Sequence, residues 1–201
     1  VIGGAVPVNI YYSTDGGQTV KIAYSFGQNP KFQQKGAAPD VPMLGDATNP
    51  LICRHVHCVS FNPVEDAFYA CTGDIDRGHG NECHWLRGTY DAKADTWQWK
   101  VLVSVNSDSR FKSGGINFVD GRLYWIADAN GPKVADEHDR GIFTCAPADL
   151  ANKDKIVTIV KSLLAHGANP NFRLKQPKAI TTNDVSLDGA TALLLAAEVN
   201  N

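Results

Sequence analysis

Residues 58–71 read CVSFNPVEDAFYAC, and the way this stretch folds decides the architecture of the chain. Two runs rich in Val, Phe, Tyr and Ala flank Pro63-Val64-Glu65-Asp66, a group suited to a reversal. The pattern predicts a β-hairpin. If Phe61 lies opposite Phe68, then Cys58 faces Cys71, His57 faces Thr72 and His55 faces Asp74. Side chains alternate along a strand. Cys58 and Cys71 are therefore expected on one face, with His55, His57, Thr72 and Asp74 on the other.

The same texture extends over residues 1 to about 148. Short apolar runs such as VNIYYS, TVKIAYSF, WQWKVLVSV, GINFV, RLYWIADA and GIFTC are separated mostly by Gly, Asn, Asp or Pro, the pattern of β structure. In FVDGRLYW, Asp120-Gly121 sits between apolar runs and predicts a tight two-residue hairpin. Near residue 150 the period changes. In IVTIVKSLLAHGAN, Ile156, Ile159, Val160, Leu163 and Leu164 recur at helical spacing, with Gly167 as a C-cap. ATALLLAAEV reads as a second helix. The expected organisation is thus a mainly β region, 1–150, followed by a short α-helical segment, 151–201.

The chain has 201 residues, 43% apolar and 20% charged, with a formal net charge of −2. That is ordinary for a globular protein and gives no basic field for nucleic acid. No apolar run approaches the ~18–20 residues of a membrane span. The five cysteines, Cys53, Cys58, Cys71, Cys83 and Cys145, have irregular spacing, so neither a disulfide framework nor a C-x-x-C zinc signature is present. An oxidised Cys58–Cys71 pair would imply a secreted or periplasmic location, whereas a reduced pair leaves the compartment open. The opening VIGGAVPV has no initiator Met or long apolar stretch, which fits a processed chain or a fragment.

Several stretches carry a resemblance. STDGGQTV, residues 13–20, resembles the Asp-box turn of bacterial-neuraminidase-type repeats, S-x-D-x-G-x-T-W, with Val20 in place of the Trp. Asp15 is expected to accept backbone N–H bonds within the turn, Gly16 and Gly17 to take positive φ, and Thr19 to open the next strand. TYDAKADTWQW, residues 89–99, looks like a degenerate second copy that keeps Asp91, Thr96 and Trp97. With RHVHCVSFNP, FYACTGD and SRFKSGGINFVDGRLYWIADANGP, these resemble exo-sialidase-like β-propellers. The resemblance implies about three blades of antiparallel strands, ~40–50 residues each, in residues 1–150. Propellers close with ~4–8 blades, so other chains or a longer protein are expected to complete the ring. The tail resembles ankyrin repeats through IVKSLLAHGANPN and DGATALLLAAEVNN, which implies a protein partner for that segment.

The chemistry suggested by the residues centres on ICRHVHCVSF, residues 52–61. His55 and His57 are candidates for general base or for ligands to a divalent metal, and Asp74 is placed to orient one of the imidazoles. Arg54 and Arg110 are candidates for bidentate binding of a ligand carboxylate. The glycine-rich stretch GDIDRGHGNECHW, residues 73–85, adds His79 and Glu82 as ligand-binding candidates and lacks the spacing of a calcium loop. The expectation is a sialidase-like module that binds a carbohydrate or other polar ligand. Two alternatives are a glycan-active hydrolase or lyase using His55, His57, Arg54 and Arg110, and a protein-interaction scaffold.

Overall fold

The computed structural model describes residues 8–28, 44–73, 81–105, 109–128 and 141–159. These residues form a mainly β protein. A hairpin of β1 (Asn9–Tyr12) and β2 (Lys21–Ser25) comes first. A four-stranded sheet follows in chain order: β3 (His55–Asn62), β4 (Ala67–Gly73), β5 (Cys83–Asp91) and β6 (Thr96–Val105). The second four-stranded sheet runs β7 (Ser113–Val119), β8 (Arg122–Ala127), β9 (Ile142–Cys145) and β10 (Val157–Thr158). Within these sheets every pair of neighbouring strands is antiparallel, each strand beside the next.

The β3–β6 sheet is the middle layer. One face carries Cys71, Cys83, Trp85 and Val103 into a core shared with Leu123, Trp125 and Phe143 of the second sheet and with Phe111 and Leu150 from the turns beside it. The other face carries Ala70 and Leu86 against Ile10, Phe26 and Cys53 beside the first hairpin. Burial on both faces explains why AFYACTG of β4 is nearly continuous in apolar character. β5 was not expected from the sequence, because its CHWLRGTYD run mixes polar residues and a glycine. Gly88 has a reason to be there: a Cβ at that position would stand 2.6 Å from the Trp99 ring.

The turns follow from particular residues. Between β1 and β2, Asp15 accepts from the Thr19 N–H (2.9 Å) and the Thr19 hydroxyl (2.6 Å), and Gly16 and Gly17 have φ of 73° and 90°. The TYDAKADTWQW turn is built differently. Asp91 accepts from the N–H groups of Lys93 and Ala94 (2.9 and 3.2 Å), and Asp95 takes a positive φ of 53°. The NPVEDA turn is the same device, with Asn62 accepting from Val64 N–H at 3.1 Å and Asp66 at φ 49°. Asp120 and Gly121, at φ 48° and 73°, make the two-residue turn between β7 and β8.

Two expectations are corrected. The hairpin register holds from Asn62↔Ala67 to Cys58↔Cys71, but a β-bulge then intervenes. Val56, not His57, pairs with Thr72, and His55 pairs with Gly73 rather than Asp74. Secondly, the helix expected from Ile156 starts later, at Ile159, the last of the described residues. Val157 and Thr158 pair with Thr144 and Phe143 as the edge of the second sheet, so that sheet runs past the junction expected near residue 150. The remainder of the expected helices and of the ankyrin-like segment lies outside the described residues, as do Asp74 and His79.

Candidate functional site

The bulge changes what the histidines do. Two residues of a bulged strand oppose one partner and the alternation of side chains is interrupted. His57 therefore turns to the face that Cys58 and Cys71 occupy, toward β7. Its Nδ1 lies 2.8 Å from the carbonyl oxygen of Ser113, the first residue of β7. A carbonyl only accepts, so Nδ1 is a protonated, donating nitrogen of the ring. Cys71 directs its thiol to the same Ser113 carbonyl at 3.5 Å. The expected separation of the histidines from the cysteines is thus undone by one inserted residue.

The His57 ring is buried, with 6% of its side chain exposed. It lies over Gly73, where a Cβ would stand 2.2 Å from the ring, so the last residue of β4 has no side chain for a steric reason. His55 is exposed and stacks on His57, with ring centroids 4.6 Å apart and planes 19° from parallel. Asp128, just past β8, brings Oδ2 to 3.9 Å from His57 Nδ1 and 3.4 Å from Lys112 Nζ. Its backbone N–H donates to the Lys112 carbonyl at 2.6 Å, which fixes the acid beside the start of β7.

The other residues singled out from the sequence gather at the same end of the two sheets. Arg54 precedes β3, and Arg110 lies in the 3₁₀ turn Ser109–Phe111 ahead of β7. That turn is held from both sheets: Trp85 Nε1 donates to the Phe111 carbonyl (2.7 Å) and Trp125 Nε1 to the Arg110 carbonyl (2.6 Å). Glu82, expected on an exposed loop, is buried, and its carbonyl accepts from the Thr72 hydroxyl at 2.7 Å. His84 is a strut, bonded through Nε2 to the Ile52 carbonyl (2.8 Å) and through Nδ1 to the Ser104 hydroxyl (3.1 Å). Burial pushes its imidazole below the ordinary value.

The metal expectation meets a geometric difficulty. An imidazole lone pair lies in the ring plane, and two nearly parallel stacked planes do not converge on one ion. Among the described residues, no three His, Cys, Asp or Glu side chains are grouped to hold a metal. What the site offers instead is an exposed imidazole backed by a buried one, with an acid and a lysine beside them. Sequence reasoning missed Lys112, Ser113 and Asp128, which enter through tertiary packing. Their one sequence signal is position, since they flank runs read as strands.

An open groove of about 490 Å³ lies at the opposite end, where the β3–β4 turn is, lined by Glu65, Arg87, Lys100, Pro147 and Leu150 among others. There Glu65 Oε2 accepts from Arg87 Nε (2.7 Å) and the Tyr69 hydroxyl (2.9 Å). None of the residues expected from the sequence to act on a ligand lines it. Comparison with protein-family models, with curated proteins and with solved structures finds no match to this chain.

Proposed function

We propose that the chain is part of an Asp-box β-propeller that binds a carbohydrate or other polar ligand at the end of its sheets where His55 stacks on His57. The two four-stranded meanders read as consecutive blades and the β1–β2 hairpin as the outer half of a preceding one. Two features support this blade reading: the first strands β3 and β7 lie side by side, and Asp15 closes the β1–β2 turn through Thr19.

The observation that carries the binding reading is the fixed stack itself. A buried His57, its proton directed to the Ser113 carbonyl, holds an exposed His55 ring in one orientation. A ring preset in this way loses little side-chain freedom when it meets a ligand. Arg54 and Arg110 bring cationic residues to the same end, which favours an acidic saccharide such as a uronic or sialic acid. The reading requires binding only and assigns no catalytic step. The ankyrin-type reading of residues 151–201, with its protein partner, rests on the sequence wording alone.

The test is a panel of neutral and acidic saccharides screened for binding, followed by calorimetry on the best. Binding should be lost in His55→Ala and weakened in Arg110→Ala. It should persist in Lys93→Ala, which changes an exposed turn at the far end. Equal affinity of wild type and His55→Ala would sink the reading. Release of a shortened sugar during the assay would move it to a glycan-active enzyme.

A further inference from the structure

Cys58 and Cys71 are directly opposed in the β3–β4 register, and their sulfurs are 3.2 Å apart. Both are thiols. Opposed residues of an antiparallel pair have Cα atoms roughly 4.5–5.5 Å apart, within the span a disulfide bridges. Closing the sulfurs to about 2.05 Å requires movement of roughly 1 Å and no new backbone path. The two differ in access: Cys71 is fully buried, whereas Cys58 is partly exposed. We infer that this pair is a reversible thiol–disulfide site whose reaction partner is a low-molecular-weight disulfide of the glutathione type.

The roles follow from the geometry. Cys58, the less buried of the two, attacks the incoming disulfide as thiolate, forming a mixed disulfide and expelling one small thiolate. Cys71, already in contact, loses its proton to that thiolate and attacks the Cys58 sulfur, expelling the second small thiolate, which takes up the proton that Cys58 gave to solvent. Two protein thiols and one small disulfide become one protein disulfide and two small thiols, a balanced two-electron exchange. The surroundings favour this order. Contact with the Cys71 sulfur, with backbone N–H groups of Ile116 and Cys71, holds the Cys58 thiol below its ordinary value, while the same contact and burial push Cys71 up.

Oxidation leaves the His57–Ser113 bond in place. Cys71 and His57 share the Ser113 carbonyl, and the disulfide removes the thiol proton and draws Cys71 toward Cys58, next in sequence to His57. Ser113 then keeps His57 Nδ1 as its donor, and the stack is held in the same orientation in both redox states.

The experiment equilibrates the chain in buffers of graded reduced and oxidised glutathione, quenches with an alkylating reagent and maps the peptides by mass spectrometry. Alkylation of Cys58 and Cys71 should give way together to a Cys58–Cys71 cross-link, and return on reduction. The buried Cys53, Cys83 and Cys145 serve as internal references and should stay thiols throughout. In Cys71→Ser, Cys58 should accumulate as a glutathione mixed disulfide; in Cys58→Ser, Cys71 should not. Persistent alkylation of both residues across the series, or oxidation of the three buried cysteines as readily as the pair, overturns the proposal. So does equal mixed-disulfide formation in the two variants. The wild-type cross-link decides the matter if either variant does not fold.

Discussion

His57 Nδ1 donates to the carbonyl oxygen of Ser113 over 2.8 Å, and this one bond joins the first strand of one four-stranded sheet to the first strand of the next. It is possible because a bulge between Val56 and Cys58 turns His57 inward, and because Gly73 leaves the ring room to lie flat.

Replacing Gly73 by alanine tests that arrangement directly. The new Cβ would stand 2.2 Å from the His57 ring, so either the ring or the end of β4 must move. Overpacking of this kind costs about 1–3 kcal/mol. The expected outcome is a lower urea midpoint and loss of the protected His57 Nδ1–H resonance in imidazole NMR. An unshifted resonance would mean that the end of β4 yields while the His57–Ser113 bond stays in place.

The sequence exposes the sheets more readily than the site. The Phe61–Phe68 and Cys58–Cys71 pairings and the Asp120-Gly121 turn are legible because turn chemistry and alternation are local. The bulge is not legible, since an inserted residue has no marker in HVHCVSF, and one residue is enough to move His57 to the opposite face. β5 hides for a related reason. Its polar residues are satisfied by partners far away in sequence, as His84 is by Ile52 and Ser104. IVTIV reads equally as strand or helix over so short a run, and pairing with β9 decides Val157–Thr158.

The two tryptophans Trp85 and Trp125, with ring centroids 5.4 Å apart, clamp consecutive carbonyls of the turn that carries Arg110. Both are essentially fully buried. Trp85→Phe removes a buried N–H donor from the Phe111 carbonyl and leaves space beside Trp125. An unsatisfied carbonyl and a partly filled cavity together amount to about 2–4 kcal/mol. The urea midpoint should fall accordingly, and any affinity that depends on Arg110 should fall with it, because the turn loses one of its two anchors. A variant as stable as wild type would show that the carbonyl finds another donor.

His84 gives a pH dependence with a definite sign. Desolvation penalises its charged form, so the folded-state pKa lies below the ordinary 6.5. The unfolded chain then binds the proton more readily, and stability is full above the ordinary histidine value and lost as pH falls through it. The loss continues until the lowered folded value is reached. His84→Gln, which can still donate to Ile52 and accept from Ser104, has no such titration. The difference in melting temperature between wild type and variant should therefore shrink steadily below about pH 6.5. A constant difference across that range would show that His84 takes up its proton as readily in the folded protein as in the unfolded chain.

Asp95 acts in a lower window. It accepts from the Tyr12 and Tyr90 hydroxyls (2.8 and 2.7 Å) and pairs with Lys21, tying the β1–β2 hairpin to the β5–β6 turn. The Lys21 bond, then the two tyrosines, hold its carboxyl down to about 2 from the ordinary 3.8. A depressed carboxylate contributes stability that is present above its unfolded value and lost as pH falls through the folded one. Wild type should therefore lose melting temperature between about pH 4 and pH 2 faster than Asp95→Asn does. The group is exposed, so added salt should narrow the gap between the two proteins. The β1–β2 hairpin should also loosen in the variant, which amide hydrogen exchange at Ile10 and Tyr24, paired across the hairpin, would register as lost protection. Parallel acid profiles for the two proteins would mean that the hairpin is held by the Tyr12, Tyr90 and Trp97 ring contacts rather than by this carboxylate.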